Sequence, residues 1–407
     1  MPKAHGAVLA PVALLGALLG VQGPAPEAVA VTAPARPNIV VIMTDDQPLG
    51  RLDAMPNVQA LIKQQGVTYP SAMVPSPLCG PSRTSFLTGR YSHETGIQAN
   101  EPPHGGWPTF NASGAESHTL ATWLDSKGYA TALVGKYLNK FGQSDPGYTP
   151  PGWDTFVGHL RGGYFYDYTL RTQVDGSTSD IRYGRGPDEY STDVLSAQAV
   201  DTIEGTPPEQ PLFLVFTPMA PHRPAAPAPR DVGAWPSEPP TAPDINESDM
   251  SDKPPWMQAL PPVDSALLAE RTSLQHESLM AVDDAVQAIV GALGDRASNT
   301  LFVFTSDNGI MLGSHRLSGK STPHARAAEV PLLLRWDGHL DPGTKDRRIA
   351  LNIDVTATIL QAARVREPTS GSSLLRPRTR SGTVLEGLGS GPGPFPAYCA
   401  WRTRRWL

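Results

Sequence analysis

Three short apolar runs, two of them broken off by polar residues, constrain this chain more than any other feature. Asn38-Ile-Val-Val-Ile-Met43 stops at Thr44-Asp45-Asp46. Pro211-Leu-Phe-Leu-Val-Phe-Thr217 is a second run, and Thr300-Leu-Phe-Val-Phe-Thr305 is a third, which like the first ends in polar residues, Ser306-Asp307-Asn308-Gly309. A strand that is apolar at successive positions must be covered on both faces, the condition found inside a parallel sheet. Val330-Pro-Leu-Leu-Leu334 reads as a fourth such strand and Tyr129–Val134 as another. Between them, helical spacing recurs over Met55–Gln65, Thr119–Lys127, Val194–Ile203 and Ile353–Ala363. The longest helical pattern is Ser265–Leu293, with Leu267, Leu268, Leu274, Met280, Val282, Val286 and Ile289 as its apolar face. Asp264 suits its N-cap and Gly294 its stop. Alternating strands and helices predict an α/β fold, a mostly parallel central sheet with helices on both faces. Sites in such sheets form at the carboxyl ends of the strands.

The 407 residues suffice for one large α/β domain, or for a large and a small one. A net charge of −6, with no long basic run, argues against nucleic acid as a partner. Gly and Pro make up about a fifth of the chain, against roughly 12% on average. Sixteen of the prolines fall between Pro207 and Pro262, which predicts a long ordered surface excursion near the site. At the N-terminus Lys3 and His5 precede an apolar stretch from Ala7 to Val21, and small residues follow through Ala28-Val29-Ala30. This is the pattern of a secretory signal peptide over residues 1–30, too short for a membrane span. The expected mature protein is secreted or extracytoplasmic and has no stable membrane span.

Two strand ends carry oxygen-donor pairs, Asp45-Asp46 and Asp307-Asn308. Each pair alone is an ordinary turn composition. Brought to one edge they would form a hard-oxygen site suited to Ca²⁺ or Mg²⁺ and not to Zn²⁺, since no histidine or thiol cluster accompanies them. The two cysteines, Cys79 and Cys399, are too few for a disulfide framework. Cys79-Gly-Pro-Ser-Arg83, extended by Thr88-Gly-Arg90, stands just before a helix expected to start at Pro81. A helix N-terminus and Arg83 together favour an anion at that point.

The Cys79-Gly-Pro-Ser-Arg83 segment resembles the signal of the formylglycine-dependent sulfatase family, in which Cys-x-Pro-Ser-Arg directs conversion of the cysteine to formylglycine. The resemblance runs from about Pro37 to the C-terminus. It includes Pro37 to Asp46, Gly135-Lys-Tyr-Leu-Asn139, Ala220-Pro-His222, Phe304 to Gly309, and Lys320 with the strand ten positions beyond it. Gly135 to Asn139, Ala220 to His222 and Tyr164 to Leu170 are most similar to N-acetylglucosamine-6-sulfatases and related extracellular sulfatases. The resemblance implies an alkaline-phosphatase-like sheet and a sulfuric ester hydrolase. It also implies a metal (Ca²⁺, with Mg²⁺ as the alternative) held by Asp45, Asp46, Cys79, Asp307 and Asn308. Catalytic roles would fall to Cys79, Arg83, Lys136, His222 and Lys320. The implied partners are a sulfated small molecule or glycan as substrate and a formylglycine-generating enzyme during maturation. His93 is expected to be structural, and His315 is left out of the site.

Residues 37–365 are then the expected catalytic domain. Residues 366–407, rich in Gly, Ser, Pro and Arg up to Pro396, are expected to be an incomplete, truncated C-terminal subdomain or tail. Leu138 stands where many sulfatases have histidine, a feature shared with the subgroup named above. Two other functions fit the same residues: a phosphonate or phosphate ester hydrolase of the same superfamily, and an inactive truncated remnant with an exposed sheet edge.

Overall fold

The computed structural model describes residues 1, 6, 36–142, 145–174, 176–377, 380–388 and 397–403. Apart from Met1 and Gly6, the expected signal peptide lies outside them. From Arg36 onward the described chain is built on a ten-stranded sheet. Its strands, in chain order, are β1 (Asn38–Thr44), β2 (Val67–Thr68), β3 (Ala130–Gly135), β4 (Thr155–Gly162), β5 (Tyr168–Val174), β6 (Ser177–Arg182), β7 (Leu212–Thr217), β8 (Thr300–Ser306), β9 (Leu332–Arg335) and β10 (Thr344–Lys345). The spatial order is β10-β2-β9-β8-β1-β7-β3-β4-β5-β6. The middle five, β8-β1-β7-β3-β4, run parallel. Antiparallel pairs flank them, β9 on β8 at one side and β5 on β4 at the other. The expected fourth strand is therefore present but antiparallel.

The alternation of side chains along β1 divides the core. Ile39, Val41 and Met43 join one apolar cluster with Leu120, Leu124, Ile353 and Ile359, from helices α2 (Leu120–Asp125) and α5 (Asn352–Ala362). Val40 and Ile42 face the other way and join Leu195, Ala199, Val282, Val286 and Ile289, from α3 (Ser191–Gly205) and α4 (Ser265–Leu293). Each fully buried aliphatic side chain contributes about 1.5–3 kcal/mol, so the double coverage explains why the runs carry no polar position. Asp264 caps α4 by accepting from the Leu267 amide at 2.8 Å. Leu267 itself departs from its expected buried place: it is exposed, in the first turn of α4.

Helix α1 (Cys79–Thr88) begins earlier than its proline suggests, so Cys79 is its first residue and not a loop residue before it. Pro81 fits in the first turn because the first amides of a helix lack intrahelical partners. The excursion after β7 holds only a 3-10 turn (Pro229–Asp231) and one turn of helix (Pro255–Gln258) among regular elements. In the C-terminal tail, β11 (Gly382–Gly387) pairs antiparallel with β12 (Tyr398–Thr403). Leu385 is buried in the first core cluster, and the Glu386 amide donates to the Pro75 carbonyl at 2.9 Å. No helix among the described residues is long and apolar enough to cross a membrane.

Candidate active site

Parallel pairing of β1 with β8 sets Thr44 opposite Ser306, so the two acidic pairs follow side by side at one edge. The Asp307 amide donates to the Thr44 carbonyl at 3.0 Å, and the Asp46 amide donates to Asp307 Oδ1 at 3.1 Å. Asp46 takes a left-handed backbone, φ +65°, which a short polar residue tolerates. Asp45, Asp46, Asp307 and Asn308 are all buried. Asn308 Nδ2 donates to Asp46 Oδ1 at 2.7 Å.

Helix α1 delivers its first residue to these carboxylates. Cys79 Sγ lies 3.5 Å from Asp45 Oδ1 and 4.0 Å from Asp46 Oδ1. Four positions on, one turn further along the same face, Arg83 donates from Nε to Asp307 Oδ2 at 2.8 Å and from Nη1 to the Lys136 carbonyl at 2.8 Å. Lys136 follows β3, and its amide donates to the Thr217 carbonyl of β7 at 2.8 Å. Its Nζ is paired with Asp45. Lys320 Nζ is paired with Asp46 and stands 2.7 Å from Cys79 Sγ. His222 Nε2 lies 3.7 Å from Asp46 Oδ2. Its other ring nitrogen, Nδ1, is 2.6 Å from the Arg223 carbonyl; that oxygen can only accept, so Nδ1 carries the proton. The Tyr164 ring stands edge-on to His222, with centroids 4.6 Å apart.

All nine positions singled out in the sequence thus come together at the carboxyl ends of the strands. One expectation is corrected: a histidine and a thiol do accompany the carboxylates, because the loop after β7 returns His222 to Asp46 and α1 brings Cys79 to Asp45. His93 lies outside the cluster and pairs with Glu386 at 2.9 Å, while His315 pairs with Glu247 at 2.7 Å.

Three buried carboxylates face three cations, Arg83, Lys136 and Lys320. Burial would raise the Asp45 carboxyl, but Lys136, His222 and Arg83 together hold it below the usual carboxylate range. Burial likewise opposes ionisation of Asp46, and Lys320 and His222 outweigh it. Cys79 responds in the other direction. Burial, then Asp307, pushes its thiol up to about 12, so the unmodified side chain is a neutral thiol and a poor nucleophile.

The residues fit a cation. Donor atoms of Asp45, Asp46, Cys79 and His222 lie within 4.8 Å of one another. Asn308 Oδ1 is buried and has no hydrogen-bond partner among the described residues, an arrangement that costs about 1–3 kcal/mol unless something positive faces it. Arg83 Nη2 is also buried without a hydrogen-bond partner, 3.8 Å from Asp45 Oδ2, and is available to an incoming oxygen.

A cleft of about 890 Å³ opens from this centre. Asp46, His222 and Lys320 line it together with Arg223 and Arg271, neither of which stood out in the sequence, and with Leu267, which the sequence placed on an apolar helix face. Arg223 was hidden in the proline-rich excursion. Arg271 and Leu267 sit in a helical pattern that reads as an ordinary solvated and apolar face.

The family model described as Sulfatase matches residues 37–365. An arylsulfatase of Volvox carteri is 32% identical over 372 residues, covering 82% of this chain and 56% of that protein. The N-acetylglucosamine-6-sulfatase of Homo sapiens is 32% identical over 370 residues, covering 86% and 64%. The chain therefore spans less than two thirds of the length of these curated relatives. Among solved structures, BT4656 in complex with its substrate D-glucosamine-2-N,6-O-disulfate superposes with a TM-score of 0.72 at 21% identity, covering 90% of this chain and 87% of that one.

Proposed function

The chain belongs to the sulfatase family, and on that premise we propose that residues 37–365 hydrolyse sulfate monoesters, with formylglycine made from Cys79 as nucleophile and a divalent cation beside it. The observation that carries this reading is the convergence of Asp45, Asp46, Asp307 and the unpartnered Asn308 Oδ1 on Cys79 at the start of a helix. Substrates of the N-acetylglucosamine 6-sulfate class follow from the named relatives and from the sulfated sugar bound by the structural neighbour. Export, read from residues 1–30, and maturation by a formylglycine-generating enzyme complete the proposal.

Asp45, Asp46, Asp307, Asn308 and the oxygen on position 79 would hold the cation, Ca²⁺ or Mg²⁺ given the dominance of oxygen donors. Such an ion supplies Lewis acidity toward a sulfate oxygen and lowers the pKa of a bound hydroxyl. Formylglycine at position 79, once hydrated, would supply two hydroxyls on one carbon: a nucleophile toward sulfur and a group able to release sulfate without a separate water. The chain's own residues do the rest. Arg83, Lys136 and Lys320 offset the negative charge of the ester and stabilise the charge that develops on its oxygens. Arg83 is locked for this task by Asp307 and the Lys136 carbonyl. The N-terminus of α1 adds favourable potential for an anion at position 79. His222 holds Nδ1–H on the Arg223 carbonyl, which aims Nε2 at the site; protonated there, it gives the leaving alcohol its proton. Lys320, against Sγ of position 79, is the second donor within reach.

Peptide mass spectrometry across position 79, after co-expression with a formylglycine-generating enzyme, tests the nucleophile. The aldehyde or its hydrate is expected in protein that releases sulfate from N-acetylglucosamine 6-sulfate. Active protein carrying only the thiol would sink the proposal. Faster turnover of a phosphonate or phosphate ester than of any sulfate ester would replace the reaction class. Fully converted protein without turnover of either would mark a remnant.

A further inference from the structure

Lys320 follows a two-residue strand, Ser318–Gly319, which pairs antiparallel with Met311–Leu312 in a small hairpin. A two-stranded hairpin is at best marginally stable by itself in water. Its turn adds strain. The Leu317 amide donates to the Ser314 carbonyl at 3.0 Å, and the two residues enclosed, His315 and Arg316, have φ of +53° and +59°. Two left-handed residues in succession ordinarily call for Asn-Gly, because a Cβ is crowded in that backbone. Yet this hairpin delivers a lysine that is paired with Asp46 and stands 2.7 Å from Cys79 Sγ. Its support comes from elsewhere in the chain.

The proline-rich excursion supplies that support between Asp244 and Leu260. The Asn246 amide donates to the Gly313 carbonyl at 2.9 Å and the His315 amide to the Asp244 carbonyl at 2.7 Å, with Ile245 bridged to Ser314 between them. Glu247 Oε1 lies 2.7 Å from His315 Nδ1 and 3.2 Å from Lys253 Nζ. Arg316 donates from Nη1 to the Leu260 carbonyl at 2.9 Å and from Nη2 to the Glu247 carbonyl at 3.1 Å. Both left-handed residues are thus fastened to the excursion through their side chains. Ile245 and Val263 close the contact against Leu268, Ile310 and Leu312. We infer that Glu247 and Arg316 are positioning residues for Lys320: they hold the turn in its strained backbone, and through it the segment that aims the ammonium group at position 79. The consequence for turnover rests on the sulfatase reading above. It is large because a preorganised donor displaced by about 1 Å can cost about 10²-fold in rate.

Glu247→Gln and Arg316→Met are compared with wild type as formylglycine-bearing full-length protein, each also in a Lys320→Ala background. With 4-nitrophenyl sulfate, each variant is expected to lower kcat about tenfold and to leave KM within about twofold. In the Lys320→Ala background the same changes should cost less than about twofold, because residues that act through one lysine lose their effect with it. Equal losses with and without Lys320, or losses carried by KM, mark a general clamp and overturn the inference. Rescue is a second measure, and it stands if Arg316→Met does not fold. Glu247→Gln combined with His315→Asn and Arg316→Gly has a turn that adopts this backbone unaided, so kcat should return to within about threefold of wild type. A triple variant no better than Glu247→Gln overturns the inference as well. Chemical labelling reads the same placement without turnover. Under reductive methylation, peptide mass spectrometry should show Lys320 modified at least about fivefold faster in Glu247→Gln than in wild type, relative to the exposed Lys345. That rise in a protein that releases sulfate from no ester would refute the hydrolase reading and leave the positioning standing. Sulfate release with unchanged Lys320 labelling would do the reverse.

Discussion

Arg83 Nε donates to Asp307 Oδ2 at 2.8 Å, and this bond ties the helix that begins with Cys79 to the strand that ends in the second acidic pair. Both side chains are buried, with side-chain exposures of 3% and 0%. The contact is therefore a structural joint as much as an electrostatic one: it holds position 79 against the carboxylates while leaving Nη2 for substrate.

Breaking that joint is expected to cost stability as well as activity. Arg83→Met leaves Asp307 buried and uncompensated, at about 3–5 kcal/mol. Arg83→Lys keeps the charge but cannot reach Asp307 and the Lys136 carbonyl together, so an intermediate loss follows. Urea midpoints of the three proteins check the order. A midpoint for Arg83→Met equal to wild type would contradict it.

Lys320 touches both Asp46 and position 79, whereas most surface lysines touch only water. Lys320→Ala is expected to lower kcat/KM for 4-nitrophenyl sulfate by about 10²–10³, the scale of losing one preorganised donor. The decrease should fall mainly on kcat, because the charge it meets develops in the transition state. Steady-state kinetics on the formylglycine-bearing enzyme decide it.

Metal removal should be readable without turnover. Chelation by EDTA is expected to lower Tm, and Ca²⁺ at 100 times its Kd should restore about 2.7 kcal/mol of stability. Asn308→Ala removes one ligand and shifts the Ca²⁺ concentration needed upward. If EDTA and Ca²⁺ leave the melting curve of the folded protein unchanged, the hard-oxygen site is wrong.

His276 predicts an acid limb of stability away from the site. It is buried, stacked on Trp235 with centroids 4.2 Å apart, and 2.8 Å from the Thr272 carbonyl through Nδ1. Burial, then Arg51, push its pKa down to about 4, from 6.5 in the unfolded chain. Between those values the unfolded chain binds the proton and the folded one does not. The contribution is fully present above about pH 6.5 and is lost as pH falls toward about 4. His276→Phe should flatten the dependence of the urea midpoint on pH across that window; an unchanged slope would refute the assignment.

Gly135 ends β3 immediately before Lys136. Its φ is +124°, and a Cβ there would sit 2.0 Å from the Thr217 carbonyl oxygen. Gly135→Ala must part β3 from β7 and displace Lys136. A loss of about 2–5 kcal/mol is expected, with a lower kcat, measured by denaturation and by sulfate release.

Much of the fold was legible because its determinants are local. The run Asn38–Met43 is apolar at successive positions because β1 is covered on both faces, and α4 matched its pattern from Ser265 to Leu293 with Asp264 as cap. The antiparallel direction of β9 was not legible, since an apolar pentapeptide reads the same either way. Nor was the start of α1 at Cys79: its N-cap, Leu78, offers no side-chain bond to announce a helix.

What the amino-acid order determined alone is a set of strands and helices and the chemical kind of each polar group at their ends, because these depend on residues within a few positions of one another. Tertiary structure decided that those groups meet. Parallel register of β1 with β8 set Asp46 beside Asp307, 261 residues away, and chain return brought Lys320 to Asp46 across 274. It also decided that Arg223 and Arg271, unremarkable in sequence, share one cleft. Contacts between distant segments depend on how whole layers pack, and no local periodicity encodes them.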